Sequence, residues 1–319
     1  MDRPWFPKGI KRGKIKVMRK KRIGKIVKNW ELYLFLLPAI LLIFCFNYLP
    51  MYGVQIAFKD FRPAEGIWGS EWVGLEHFRR FFNSYQFGNL IKNTLIISLY
   101  GLLAGFPLPI LFALILNQMR FTRFKRFLQT VTSLPNFIST VVLVGMINIF
   151  LSPSSGIYGA VCELLNMTPG NPMGDPALFR HIYVWSGVWQ SMGWGSIIYL
   201  SALSAVDPTL YEAATIDGAN KIQKIVNIDL PTIAPTCVIS LILSAGGIMG
   251  VGFEKIYLMQ NSLNLFTSEV ISTYVYKVGI QSTQYSFSSA VGLFNTIVNF
   301  VILIVVNQFA KKVGETSLW

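Results

Sequence analysis

Charge is what this chain has least of. Only 13% of its 319 residues are Asp, Glu, Lys or Arg, about half the share usual in a soluble globular domain. Acidic residues number 15 against 28 basic ones, and histidine occurs twice, at His77 and His181, outside the long apolar runs and with no partner cluster. Runs without His, Asp or Glu offer no nucleophile–base pair and no metal ligands, which excludes an intramembrane enzyme. With no charge deep in a run, a proton or sodium relay is excluded too. Cysteine is equally sparse: Cys45, Cys162 and Cys237 are odd in number and lack any Cys/His spacing, so neither a disulfide framework nor a metal site is expected. They read as small apolar packing residues. A small-residue cleavage site is missing after the basic N-terminus, so the first apolar run reads as an uncleaved span.

What the chain does have is apolar residues, 53% of the total, gathered in blocks free of charge. A bilayer core of about 30 Å takes about 20 helical residues, and six blocks qualify. They lie between Glu31 and Lys59, between Lys92 and Arg120, from after Arg126 to about Leu151, between His181 and Asp207, between Asp229 and Glu254, and from near Phe287 to before Lys311. The fold expected is therefore all-α and polytopic, with six transmembrane helices in the cell membrane. Twelve of the 28 Lys and Arg residues precede the first span, in residues 1–31. Placing the N-terminus inside puts twenty basic residues on inner segments against seven on outer ones, which sets both termini in the cytoplasm. The net charge of +13 thus reflects retention signals and contact with anionic lipid, not nucleic-acid binding. The expected organisation is a basic cytoplasmic segment 1–31, a membrane domain 32–310 and a cytoplasmic tail 311–319.

Between the spans, residues 71–82 place Trp72, Leu75, Phe78 and Phe82 on one face and Arg79 on another, which predicts an amphipathic helix. Residues 152–176 are rich in Pro and Gly and predict loop, with a short helix near Val161–Leu165. Pro38, Pro50, Pro107, Pro109, Pro135 and Pro235 fall inside spans and predict bends. Gly246, Gly247, Gly250 and Gly252 crowd the end of the fifth, where small residues allow close helix packing or a flexible segment.

The inner connection 207–231 carries the most information. Asp207-Pro208 starts a helix, the carboxylate capping free N–H groups and proline preorganised at the first helical position. Asp217-Gly218 ends it, because glycine takes a positive φ that other residues resist. A second helix is expected from near Asn220, with Pro231 marking re-entry into the membrane. Ala213, Ala214 and Ala219 keep the bend slim enough to enter a cleft in another protein.

In this loop Glu212-Ala213-Ala214, three residues, Gly218, nine residues, Ile228, one residue and Leu230-Pro231 reproduce the signature of binding-protein-dependent ABC importer permeases. The chain resembles that family over most of its length. The stretches LPAILLIFCFNYLPMYGVQIAFKDF, WVGLEHFRRFF, SEVISTYVYKVG and KKVGETSLW are similar to its carbohydrate-uptake branch, and within it to permeases for complex polysaccharide fragments, such as rhamnogalacturonan-type oligosaccharides, in Gram-positive bacteria. The resemblance implies the type I permease fold. It implies partners too: a second, homologous permease, an ABC ATPase dimer that uses ATP and Mg, and an extracellular lipid-anchored solute-binding protein. Glu212, Ala213, Ala214, Asp217, Gly218, Ala219, Ile228, Leu230 and Pro231 would form the helix that couples to the ATPase. The chain itself would bind no cofactor and hydrolyse no ATP, and the phosphate-loop pattern G-x-x-x-x-G-K-[ST] is absent. A permease for a non-sugar solute and a stand-alone secondary transporter are the alternatives.

Polar residues within spans tend to face the bundle interior or a wet cavity. Asn136, Asn148, Trp189, Gln190, Trp194, Asn295 and Asn299 are the candidates for a solute path, with Trp185 and Ser191 nearby. Amides suit sugar hydroxyls and flat aromatic faces suit the apolar side of a sugar ring. The fourth span offers both.

Overall fold

A computed structural model describes residues 29–314. Most of the basic segment 1–31 and most of the tail 311–319 therefore lie outside the described residues. The chain forms two units, Met1–Gln55 and Ile56–Trp319. In the first, helix α1 (Trp30–Ile43) is apolar on all sides and passes Pro38 without breaking, and none of its residues is buried. A helix of that composition suits lipid on every face.

The second unit begins with a two-stranded clasp, β1 (Lys59–Asp60) against β2 (Glu71–Trp72), antiparallel. Helix α2 (Glu76–Phe82) follows, so the amphipathic helix expected over 71–82 is only its second half. Gly74, at φ +63°, turns the chain between strand and helix, and Val73 and Gly74 both donate to the Phe58 carbonyl, at 2.9 and 3.1 Å. Phe81, outside the expected apolar face, is fully buried. Its ring meets those of Phe87, Phe287 and Phe294 edge-on, with centroids 5.0–6.3 Å apart, an arrangement the ring quadrupole favours.

Helices α3 (Phe87–Gly105) and α4 (Pro107–Asn117) join end to end as one span. Helix α5 (Thr122–Ser133) continues into a 3-10 turn at Leu134–Phe137, and α6 (Thr140–Phe150) leaves at 98° to it. The third span is thus broken rather than continuous. Pro135 supplies no N–H, and Ser139 restarts the helix by accepting from the Val142 N–H at 3.4 Å. Helix α7 (Ile157–Leu164) lies where a short helix was expected.

Helix α8 (Pro176–Leu203) is capped by Asp175, which accepts from Ala177 N–H at 2.8 Å. It packs against α3, α4, α5 and the later α10. At Gly193 its backbone comes so close to α5 that a Cβ would lie 2.2 Å from the Thr132 carbonyl oxygen. His181, expected in a loop, sits in this helix and bonds the Tyr100 hydroxyl through Nδ1 at 2.9 Å.

Helix α9 (Pro208–Ile216) leads to α10 (Lys221–Gly246). Pro231, expected to mark re-entry into the membrane, lies within α10, which runs through it. A π turn at Ile225–Asp229 widens the helix just where Pro231 removes a donor. Beyond Gly246 come the short helices α11 (Phe253–Met259) and α12 (Ile271–Tyr276), then the long α13 (Tyr285–Gly314). Gly246 packs on α13: a Cβ there would meet Leu303 Cδ1 at 2.7 Å.

Among the described residues four helices are long and apolar enough to cross a membrane, and α5 with α6 makes a fifth if the bent pair is one span. Helix α8 is long enough at 28 residues, but is too polar to join them.

Candidate coupling loop and solute cavity

The loop 207–231 is built from local signals. Asp207 accepts from Thr209 N–H at 2.9 Å, with Pro208 at the first helical position. That bond holds its carboxyl below the usual carboxylate range. A lowered pKa means that the cap is in place at neutral pH and is lost only as pH falls through the depressed value. Asp207→Ala should speed hydrogen exchange at the amides of Thr209 and Leu210 roughly fivefold. Unchanged exchange there would show that the cap does not hold the helix start.

Gly218, at φ +76°, closes α9. Its N–H donates to the Thr215 carbonyl at 3.1 Å and the Ala219 N–H to the Ala214 carbonyl at 2.8 Å, the paired bonds of a Schellman C-cap. Asn220 and Gln223 then exchange backbone and side-chain bonds at 2.7 and 2.9 Å, a capping box that starts α10. Lys224 Nζ braces the bend by donating to Thr215 Oγ1 at 2.7 Å. Glu212, Ala213, Asp217 and Gly218 are exposed, as are Leu230 and Pro231; Ala214, Ala219 and Ile228 are half-buried. Ile216 and Ile222 flank the bend with 87% and 71% of their surface in the open. Large aliphatics beside a polar bend were a signal available in the sequence, and it went unused.

A second set of residues escaped notice because its members are distant in sequence. Asp229 is fully buried. Its carboxylate accepts from the Tyr211 hydroxyl on α9, from Asn117 Nδ2 at 3.3 Å and from Gln118 Nε2 at 2.7 Å, both at the end of α4. Asn117 Nδ2 also lies 3.2 Å from the Tyr211 oxygen. Burial, and then donation to Asp229, push Tyr211 up to about 12. Asp229 forms no ion pair among the described residues; three neutral donors from two helices hold it. This joint ties the loop to the adjoining ends of the second and fifth spans.

Along the middle of α8, a cavity of about 430 Å³ opens between α3, α4, α8 and the turn after α10. Ser98, Pro109, Tyr183, Ser191, Trp194 and Ser244 contribute to its wall, which contains no Asp, Glu, Lys or Arg. Of the seven expected path residues only Trp194 lines it. Gln190 donates to the Ile138 carbonyl at 2.8 Å, satisfying backbone at the break between α5 and α6. Asn299 Oδ1 accepts from Met249 N–H at 2.8 Å. Asn136 lies in the 3-10 turn, Asn148 and Trp189 are exposed, and the Asn295 Oδ1 is buried without a hydrogen-bond partner. Trp185 donates to the Tyr100 hydroxyl at 2.8 Å. Among the described residues no three His, Cys, Asp or Glu side chains converge as metal ligands.

Long apolar helices, a helical loop projecting from their ends and a cavity in the bundle define an α-helical membrane transport component. The chain belongs to the family of binding-protein-dependent transport system inner membrane components, which matches residues 105–315. It is 40% identical over 304 residues to the polygalacturonan/rhamnogalacturonan transport system permease protein YteP of Bacillus subtilis (strain 168), covering 95% of each chain. It is also 40% identical over 288 residues to protein LplB of the same organism, covering 90% of this chain and 91% of that one. A crystal structure of a bacterial ABC transporter involved in the import of the acidic polysaccharide alginate contains a chain that superposes with a TM-score of 0.85. The two are 39% identical, covering 92% of this chain and 99% of that one. The same transporter in complex with alginate pentasaccharide-bound periplasmic protein matches equally well, at 38% identity. The type I permease fold and the membrane location follow.

Proposed function

We propose that this chain is one of two permease subunits of an ATP-driven importer for acidic oligosaccharides such as rhamnogalacturonan or polygalacturonan fragments. One observation carries the reading: the helical loop 207–231, with its Glu-Ala-Ala, Gly and Ile-x-Leu-Pro positions in register, in a chain 40% identical over 95% of its length to a polygalacturonan/rhamnogalacturonan permease. In this reading six spans cross the membrane, α8 being the polar one, with both termini in the cytoplasm. The loop enters a cleft of an ABC ATPase, with Ile216 and Ile222 supplying apolar contact beside Glu212 and Gly218. The ATPase hydrolyses ATP and this chain does not. A second permease completes the solute path and an extracellular binding protein delivers the sugar. Trp194 offers a ring face to a sugar, with Ser191 and Ser244 as hydroxyl partners.

The test is growth of a deletion strain on a panel of oligosaccharides, with uptake of labelled oligogalacturonide measured alongside. Loss of growth and uptake on pectic fragments alone is the expected result. A defect confined to a peptide or inorganic source would overturn the sugar reading. Labelling of a cysteine placed at Ile216 from outside intact cells would overturn the orientation.

A further inference from the structure

Lys255 stands on α11 with 8% of its surface exposed. Its ammonium donates to the Tyr183 carbonyl at 3.0 Å and lies 5.0 Å from the centroid of the Tyr183 ring. No carboxylate reaches it. The ion pairs among the described residues join Arg62 to Asp60 and Glu65, and Lys277 to Glu269. An ammonium carries three donors, and the Tyr183 carbonyl takes one. Burial pulls Lys255 down to about 8, so it still carries its charge at neutral pH. A buried charge is normally paired, because desolvation is otherwise uncompensated.

The position of this ammonium suggests what would pair with it. Tyr183, Ser191, Trp194 and Gly195 line the cavity from α8, a spacing of three and four residues that puts them on one helical face. Gly187 belongs to the same face, between Tyr183 and Ser191. A Cβ on Gly187 would lie 3.3 Å from Lys255 Nζ. The ammonium therefore fills the space that a side chain at 187 would occupy, packed against Tyr183, which lines a cavity whose wall has no charge of its own. A carboxylate arriving there would meet a cation with free donors, and a charge-assisted bond forms at about 2.7–2.9 Å.

We propose that Lys255, beside the cavity-lining Tyr183, is a carboxylate-binding residue that receives the uronate groups of an acidic oligosaccharide as it passes. The inference rests on the permease reading and adds to it the residue that reads the charge of the cargo. It also accounts for the missing side chain at Gly187, next to an ammonium that needs room to turn.

The experiment uses the complete importer in proteoliposomes, with trigalacturonate and its methyl ester as the two probes. One binding protein serves every variant, so its own preference cancels in the ratio of variant to wild type. Lys255→Gln should raise the half-saturating concentration for trigalacturonate about tenfold, the order of one charge-assisted bond, and leave the methyl ester unchanged. Lys255→Arg should keep most of the discrimination. Gly187→Ala leaves the charge in place but crowds the ammonium, and should lower acidic uptake severalfold on its own. It serves as the second probe should Lys255→Gln fail to assemble. Equal losses for both sugars would make Lys255 a packing residue only, and an unchanged ratio in Lys255→Gln or Gly187→Ala would equally overturn the proposal. Wild-type uptake of the methyl ester alone would overturn this inference while leaving the permease reading intact. Uptake of neither sugar would remove the pectic-oligosaccharide reading, and this inference with it.

Discussion

Gly218→Val is expected to leave the chain in the membrane and to cut ATP-driven uptake by about 30- to 100-fold. The size follows from a local conformational cost. Gly218 sits at φ +76°, and a Cβ there would touch nothing within 4 Å, so the penalty is one of backbone conformation and not of collision. A non-glycine residue in the left-handed region costs about 1–2 kcal/mol, and a β-branched one more. Escape to a negative φ breaks the bonds from Gly218 to Thr215 and from Ala219 to Ala214, and pulls Lys224 from Thr215. The angle between α9 and α10 then changes, and a loop docked in a cleft changes fit with it. A graded series separates this account from simple bulk. Asparagine tolerates the left-handed region, so Gly218→Asn should retain most activity, and Gly218→Ala should fall between asparagine and valine. Uptake and stimulated ATP hydrolysis are the two readings. If both were normal in Gly218→Val, the loop would not be the coupling element.

This loop was legible in the sequence because its determinants are local. Asp207-Pro208, Asp217-Gly218 and the Asn220–Gln223 pair each act within a few residues, and each does in the structure what its chemistry implies. The elements that departed from expectation depend on partners far along the chain. Residues 71–82 carry a helical apolar pattern, but Glu71 and Trp72 pair with Asp60 and Lys59, and Gly74 at positive φ turns the chain before the helix begins. Pro135 announced a bend, yet a 98° break also needs Gln190 of α8 to satisfy the Ile138 carbonyl. The same bond explains why Gln190 does not line the cavity. Periodicity shows that an amide lies in a span, but not whether a cavity or a backbone group takes its hydrogen bonds. Asn299 met the Met249 N–H instead of open space. Buried charge was the hardest to foresee. Lys255 stands just past the glycine-rich end of the fifth apolar run and Asp229 at the start of it, both at places where the chain re-enters water in a purely linear reading.

Asp229→Ala is expected to be the more damaging change, because it acts on the subunit itself and not only on its docking. The substitution leaves the Tyr211 hydroxyl and the amides of Asn117 and Gln118, all half-buried, without their shared acceptor, and empties a fully buried position. Each stranded donor costs about 1–3 kcal/mol where water does not reach it; with the half-buried donors re-pairing in part with water the total is about 2–4 kcal/mol, still a large share of the 5–15 kcal/mol that holds a typical domain together. The expected result is a sharp fall in recoverable subunit, with early thermal unfolding of whatever assembles. Asp229→Asn keeps one acceptor oxygen, and the neighbouring amides can turn to receive its N–H groups, so it should be much milder. Tyr211→Phe removes one donor and leaves the carboxylate its two amides, at a cost of about 1 kcal/mol. That variant isolates the link between loop and span: hydrogen exchange should quicken in α9 while α4 stays protected, and uptake should fall further than stability does. Because Tyr211 is raised to about 12, its contribution is complete below the ordinary tyrosine value of about 10 and is lost as pH rises from there through about 12, so the joint should not respond to pH across the neutral range. Exchange quickening equally in α4 and α9 would mean that the joint only stabilises the bundle. Exchange confined to α9, with uptake lost, would mean that force from the loop reaches the second and fifth spans through one buried carboxylate.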